Sequence, residues 1–269
     1  MAGLPIAANA TGAATEHQRL VEQVWQAAHL STLSEGMAGN LLTGIEQQPE
    51  IQSLGENKRK RLLSHYRRYS QPERFTRGLR RVLQNASDQQ LRALLTLANS
   101  AVAQRALTQE LAFRQVPMAT MNAHAQQLLN TEEGRARAAA ITRLDQAIGV
   151  TEMAVSVTAT TLFGTTAAMR QSGIAARATS RGSLAKQVAR FAVRARPWQA
   201  EQVKVTYLYL YRKLPLAELQ AYVAMQEHRP VKSIQRSFVR ALGEEMIAIQ
   251  SDVIREVVKD MQGNGIRDA

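Results

Sequence analysis

The stretch Leu210-Tyr211-Arg212-Lys213-Leu214-Pro215-Leu216-Ala217-Glu218-Leu219 decides the fold, because one periodic segment stops there and another begins. Proline lacks the amide that a helix interior needs but fits its first turn, so Leu214 and Pro215 mark a joint between two helices. Beyond the joint Leu216, Leu219, Val223 and Met225 follow a helical stripe, and Glu218 falls in the first turn, where the backbone dipole favours a carboxylate.

An earlier stretch has the same form. Val82 to Leu94 lies over Leu210 to Tyr222, with Leu91 matching Leu219 at an offset of 128. Arg19-Leu20-Val21-Glu22-Gln23 similarly resembles Arg143-Leu144-Asp145-Gln146, and each opens a long segment of small residues. A repeat of this length predicts an all-α chain made of two similar helical bundles from an internal duplication. Residues 1–14 read as a flexible leader, 15–129 as the first domain, 130–134 as a linker, 135–263 as the second domain and 264–269 as a tail.

Working outward, Thr15 is placed to cap a first helix running to about Gln47, with Leu20, Val21, Val24 and Trp25 on one face. Prolines 49 and 72 break the chain on either side of a helix carrying Leu62, Leu63, Tyr66 and Tyr69. Ser87 and Gln90 have capping-box spacing for a helix from Asp88 to about Asn99. Met118 to Leu129 reads as a connecting helix. A long helix then carries Ile141, Leu144, Ile148 and Met153, and Pro197 is expected to close the element that Ser183 opens. Val203 to Tyr211 has strand-like composition but no second strand to pair with, so it is assigned to helix. Phe238, Leu242, Met246, Ile249, Val253 and Val257 place the last helix from about Pro230 to Gly263.

Composition agrees. Of 269 residues 45% are hydrophobic, with only 15 Gly and 7 Pro, which suits long helices and argues against disorder. The absence of cysteine excludes disulfides, thiolate metal sites and cysteine nucleophiles. The stretch Ala147 to Ala168 is interrupted by Glu152, glycines and threonines, so no membrane span and a soluble protein are expected. The leader is of the kind left when a signal peptide is removed.

The excess of 34 Lys and Arg over 22 Asp and Glu gives a net charge of +12. It concentrates in two stretches that occupy corresponding places in the two halves, Lys58 to Arg81 and Arg170 to Arg196. The candidate anion-binding residues are Lys58, Arg59, Lys60, Arg61, Arg67, Arg68, Arg77, Arg80 and Arg81 in the first, and Lys186, Arg190, Arg194 and Arg196 in the second. Such stretches are commonly solvated helix faces, and otherwise suit a protein or polyanionic partner. Tyr66, Tyr69 and Phe75 interleave with the first stretch, but at helical spacing they read as core rather than as base-stacking rings. Neither stretch has the bulky one-sided apolar face of a lipid anchor.

Chemistry is sparse. His17, His29, His65, His124 and His228 are scattered without the spacing that puts two ligands on one helical face, so no metal or cofactor is assigned. Ser183 and Lys186 match a Ser-x-x-Lys pattern in which lysine activates serine one turn away, but the companion Ser-Asp-Asn and Lys-Thr-Gly motifs are missing and Ser183 suits a helix cap. A non-enzymatic binding protein is the leading expectation. A cytoplasmic nucleic-acid-binding protein using Arg59, Arg61, Arg67, Arg68, Arg77 and Arg80 is the alternative.

The sequence of a long first helix, a polar joint and a helix opened by Leu-Ser or Leu-Pro resembles the bacterial helical family named domain of unknown function 2059. The family's signature after the joint is Phe-Tyr-x-Ser-Pro-x-Gly-Gln-Lys. Ala98-Asn99-Ser100-Ala101-Val102-Ala103-Gln104-Arg105 keeps its serine and its glutamine-basic pair, with alanine in place of proline and glycine, and Met225 to Lys232 keeps a shifted Pro230-Val231. The resemblance implies a periplasmic or secreted helical protein of no established activity.

Overall fold

The computed structural model describes residues 7–113, 116–171 and 181–265, and among them it contains thirteen helices and no strand. The first seven are α1 (Ala7–Ala27), α2 (Leu30–Glu46), α3 (Pro49–Gln52), α4 (Glu56–Tyr69), α5 (Pro72–Gln84), α6 (Asp88–Ala98) and α7 (Ala101–Ala112). They are followed by α8 (Met118–Leu129), α9 (Glu132–Ile148), α10 (Val150–Gln171), α11 (Arg181–Leu210), α12 (Leu216–Glu227) and α13 (Arg229–Gly265). No helix of the described residues is long and apolar enough to cross a membrane.

Local chemistry accounts for most boundaries. Ser87 and Gln90 form the reciprocal capping box at the start of α6, and Ser100 and Thr131 cap α7 and α9 by accepting from the amides of Ala103 and Gly134. Each cap satisfies an amide that the helix itself leaves open, a gain of about 1 kcal/mol. The turn from α8 into α9 needs Gly134, where a Cβ would fall 1.7 Å from the Leu128 carbonyl oxygen. Three boundaries depart from the sequence reading. The first long segment breaks at His29 and the second at Gly149, both in the left-handed region (φ 47° and 85°). A helix cannot continue through that geometry, and glycine adopts it without steric cost. Pro197 does not close a helix but lies inside α11. Its neighbours Val193 and Trp198 are 73% and 60% exposed, so water can reach the carbonyl that proline leaves without a donor. At the N-terminus α1 already begins at Ala7, within the stretch read as a leader.

The spine is α13. Against α4, α5 and α6 it runs antiparallel: His65 meets Asp260 at 3.0 Å, Arg74 meets Asp252 at 2.8 Å, and Gln90 meets Ser233 at 3.1 Å. Against the α9–α10 corner it runs parallel. Arg236 donates to the Ala147 carbonyl at 3.0 Å, and Gly243 lets α10 approach so closely that a Cβ there would lie 2.9 Å from the Met153 Cγ. One cluster of buried side chains reaches from Leu20 on α1 to Val253 on α13, crossing residues 130–134.

The two joints cross over. The α6 joint packs on α13, where Gln90 bonds Ser233; the α12 joint packs on α7, where Arg105 meets Glu218 at 2.7 Å. Gln90 and Glu218 lie 128 positions apart, as do Arg105 and Ser233. His17 also reaches the Gln84 carbonyl at the end of α5, and Arg137 reaches the Leu214 carbonyl just beyond α11 at 2.8 Å.

Candidate functional site

Where the helices of both stretches meet, they leave a cavity of about 330 Å³. Its wall is built from positions that answer one another across the molecule. Leu94 and Tyr222, Ala98 and Gln226, Leu107 and Gln235, and Glu110 and Phe238 are each 128 apart; Ala28 and Ile148, Leu30 and Val150, and Leu33 and Met153 are each 120 apart. Most of the wall is aliphatic. Apart from Gln235, the polar groups gather at one place.

There Tyr207 lies on α11 and Tyr211 one turn later, just past its end, where its amide still donates to the Tyr207 carbonyl at 3.0 Å; Tyr222 and Gln226 lie one turn apart on α12 and share a helix face. Glu110 comes from α7, which packs on α12. The Tyr211 and Tyr222 hydroxyls both donate to Oε1 of Glu110, the second at 3.2 Å. The rings of Tyr207 and Tyr211 meet edge-on with centroids 5.7 Å apart, and those of Tyr211 and Tyr222 are tilted at 6.0 Å. Burial pushes the Glu110 carboxyl above its ordinary value against the opposing pull of the two hydroxyls, and no cation enters the balance. Burial and the nearby carboxylate raise Tyr207, Tyr211 and Tyr222 as well, so all three stay protonated. Gln226 is 3% exposed and its Oε1 has no hydrogen-bond partner. An unpaired buried acceptor costs about 1–3 kcal/mol unless something occupies it.

The cavity shares Ile148, Met153 and Val239 with an open groove of about 440 Å³ between α10 and α13, flanked by Glu152, Arg236, Arg240 and Glu244.

Sequence reasoning passed over Glu110, placed Tyr207 and Tyr211 only in a helical segment and used Tyr222 only in the repeat. The signal was nonetheless present in the offset of 128. Tyr207, Tyr211, Tyr222 and Gln226 replace Leu79, Leu83, Leu94 and Ala98, and Glu110 answers to Phe238, so five apolar positions of one set are polar in the other.

The basic residues singled out from sequence are distributed differently. Lys60 pairs with Glu56 at 2.6 Å, Arg80 with Glu22 at 3.1 Å while stacking over Trp25, and Arg196 with Glu152 at 2.7 Å. Arg61 and Arg81 lie 3.9 Å from Asp260 and Glu244. Arg68 lies over the Tyr69 ring. Lys58, Arg59, Arg67, Arg77, Lys186, Arg190 and Arg194 make no ion pair among the described residues, and all but the half-exposed Arg59 are exposed. The first stretch lies along α4 and α5 and the second on α11, with no hydrogen bond or ion pair between them among the described residues. The side chains of Arg170, Arg177, Arg181 and Ser183 lie outside the described residues, and with Ser183 the Ser183–Lys186 pairing. Phe75 is fully buried, Tyr66 and Tyr69 half-buried, which makes them packing residues of α4 and α5. The histidines stay apart: His17 bonds Asp88, His65 bonds Asp260, and His124 packs edge-on against Tyr209.

No protein-family model matches this chain, and no curated protein or solved structure matches it either.

Proposed function

We propose that this chain is a non-enzymatic binding protein of the bacterial envelope, made of two copies of one helical unit, which holds a small ligand in the cavity at their seam. The observation that carries the reading is the wall itself: aliphatic over most of its area, with a carboxylate, tyrosine hydroxyls and an unpaired amide oxygen converging at one place. That is the usual composition of a small-molecule pocket, in which apolar walls supply affinity and a few polar groups supply orientation. The duplication is supported by the crossed Gln90–Ser233 and Arg105–Glu218 contacts and by the matched wall positions. The envelope assignment is supported by the resemblance described above.

A screen of small amphiphiles for thermal stabilisation tests this, run beside an Ala98→Leu variant whose added methyl groups fill the cavity. Compounds that raise the melting temperature of the parent protein and not of the variant support the reading. Equal shifts in both sink it.

The uncompensated Lys58, Arg59, Arg67 and Arg77 favour a second reading, a polyanion held on the outer face of α4 and α5. Random duplex binding across a salt series decides it, because neutralising phosphates releases counterions and makes affinity fall steeply with salt. No binding at low salt removes it.

A further inference from the structure

The head group that the cavity selects follows from what its polar end lacks. Glu110 Oε1 accepts from the Tyr211 and Tyr222 hydroxyls, so those two donors are already turned toward the carboxylate. What remains open are acceptors: Gln226 Oε1, buried and unpartnered, and a carboxylate without a basic residue beside it. Three tyrosine rings line the same place, and the faces of aromatic rings attract cations. A carboxylic acid or phosphate would bring more acceptors and more negative charge to a site that needs neither.

Resting on the reading of this cavity as a ligand site, we propose that its ligand is an organic amine, an ammonium head held by Glu110, Gln226 and the tyrosine rings with an apolar body against the aliphatic wall. The ammonium hydrogens satisfy the open acceptors, and its charge favours the ionised form of a carboxyl whose hold on its proton desolvation strengthens. At the roughly 30 Å³ that a water occupies in the liquid, the cavity volume admits on the order of ten non-hydrogen atoms.

The test is calorimetric titration of the full chain at neutral pH with n-octylamine, n-octanol and octanoate, which share a tail and differ only in the head. Octylammonium is expected to bind at one per chain, about tenfold or more tighter than the other two, equivalent to about 1.4 kcal/mol. Glu110→Gln, which keeps the side-chain shape, should weaken octylammonium about tenfold and leave octanol unchanged; Gln226→Leu should weaken it as well. The net charge of +12 repels a cation from the outer surface, so uptake of octylammonium reports the interior. Octanol or octanoate binding as tightly as octylammonium overturns the amine assignment and leaves the cavity reading intact. Binding of none of the three overturns both.

Discussion

Two sets of positions related by an offset of 128 have opposite chemistry, and all of the second set but only three members of the first line one cavity. Leu79, Leu83, Leu94, Ala98 and Phe238 make one set, all of them buried. Tyr207, Tyr211, Tyr222, Gln226 and Glu110 make the other. On the proposed duplication, the apolar set indicates that the unit can close such a joint by hydrophobic burial alone. The polar set therefore carries something besides packing. It holds a carboxylate in a desolvated place and leaves an amide oxygen without a partner, both of which oppose stability. Residues that oppose stability and converge on a cavity support the proposed reading of it as a ligand site.

The contrast can be broken most easily on the apolar side. Leu83→Ala removes a fully buried side chain and should lower unfolding stability by about 2–5 kcal/mol in urea titration, the range for cavities left in a tight core. Leu94→Tyr copies the residue of the polar set onto the apolar one and should destabilise by about 1–3 kcal/mol, since its hydroxyl is placed at an aliphatic part of the wall with no carboxylate to meet. If that variant is as stable as the parent, the two sets are interchangeable and the contrast has no functional content. Tyr211→Phe leaves Glu110 with one of its two donors and should cost only about 1 kcal/mol while keeping the ring in place.

Glu110 gives the contrast a pH signature. Because burial raises its folded value above the unfolded one, the stability held by the protonated form is complete below the unfolded value and is lost as pH rises through the folded value. Glu110→Gln removes that loss. Melting temperatures of the ligand-free proteins should diverge in favour of the variant as pH rises above the ordinary glutamate value of about 4.3, a tenfold change in proton affinity being worth about 1.4 kcal/mol. Parallel curves would mean that Glu110 titrates as an ordinary surface acid. The smallest effects belong to the crossed contacts, where Arg105→Ala and Gln90→Ala should each change stability by less than about 1 kcal/mol, because both pairs are largely solvated.

Much of the helical frame was readable from residue spacing. Prolines 72 and 215, the Ser87–Gln90 box and the stripes of Leu91, Leu94, Leu219 and Val223 act within one or two turns, and a linear pattern records interactions of that range. The breaks at His29 and Gly149 were less visible, since they depend on backbone geometry rather than on apolar period. Pro197 misled because its effect depends on which side of α11 faces water. The basic stretches drew notice through composition, yet several of their charges are neutralised by carboxylates such as Glu22 and Glu244 that lie far away in the chain.

The sequence by itself determined that this chain is helical and where its joints fall, because caps, prolines and apolar spacing work over a few residues. Only the tertiary structure decided that α7 crosses to α12 while α13 crosses to α6, and with that crossing it brought Glu110 to Tyr211 and Tyr222, about a hundred positions along the chain. The physical reason is that helix crossings follow from how buried side chains interlock across the whole core, a property of no single segment.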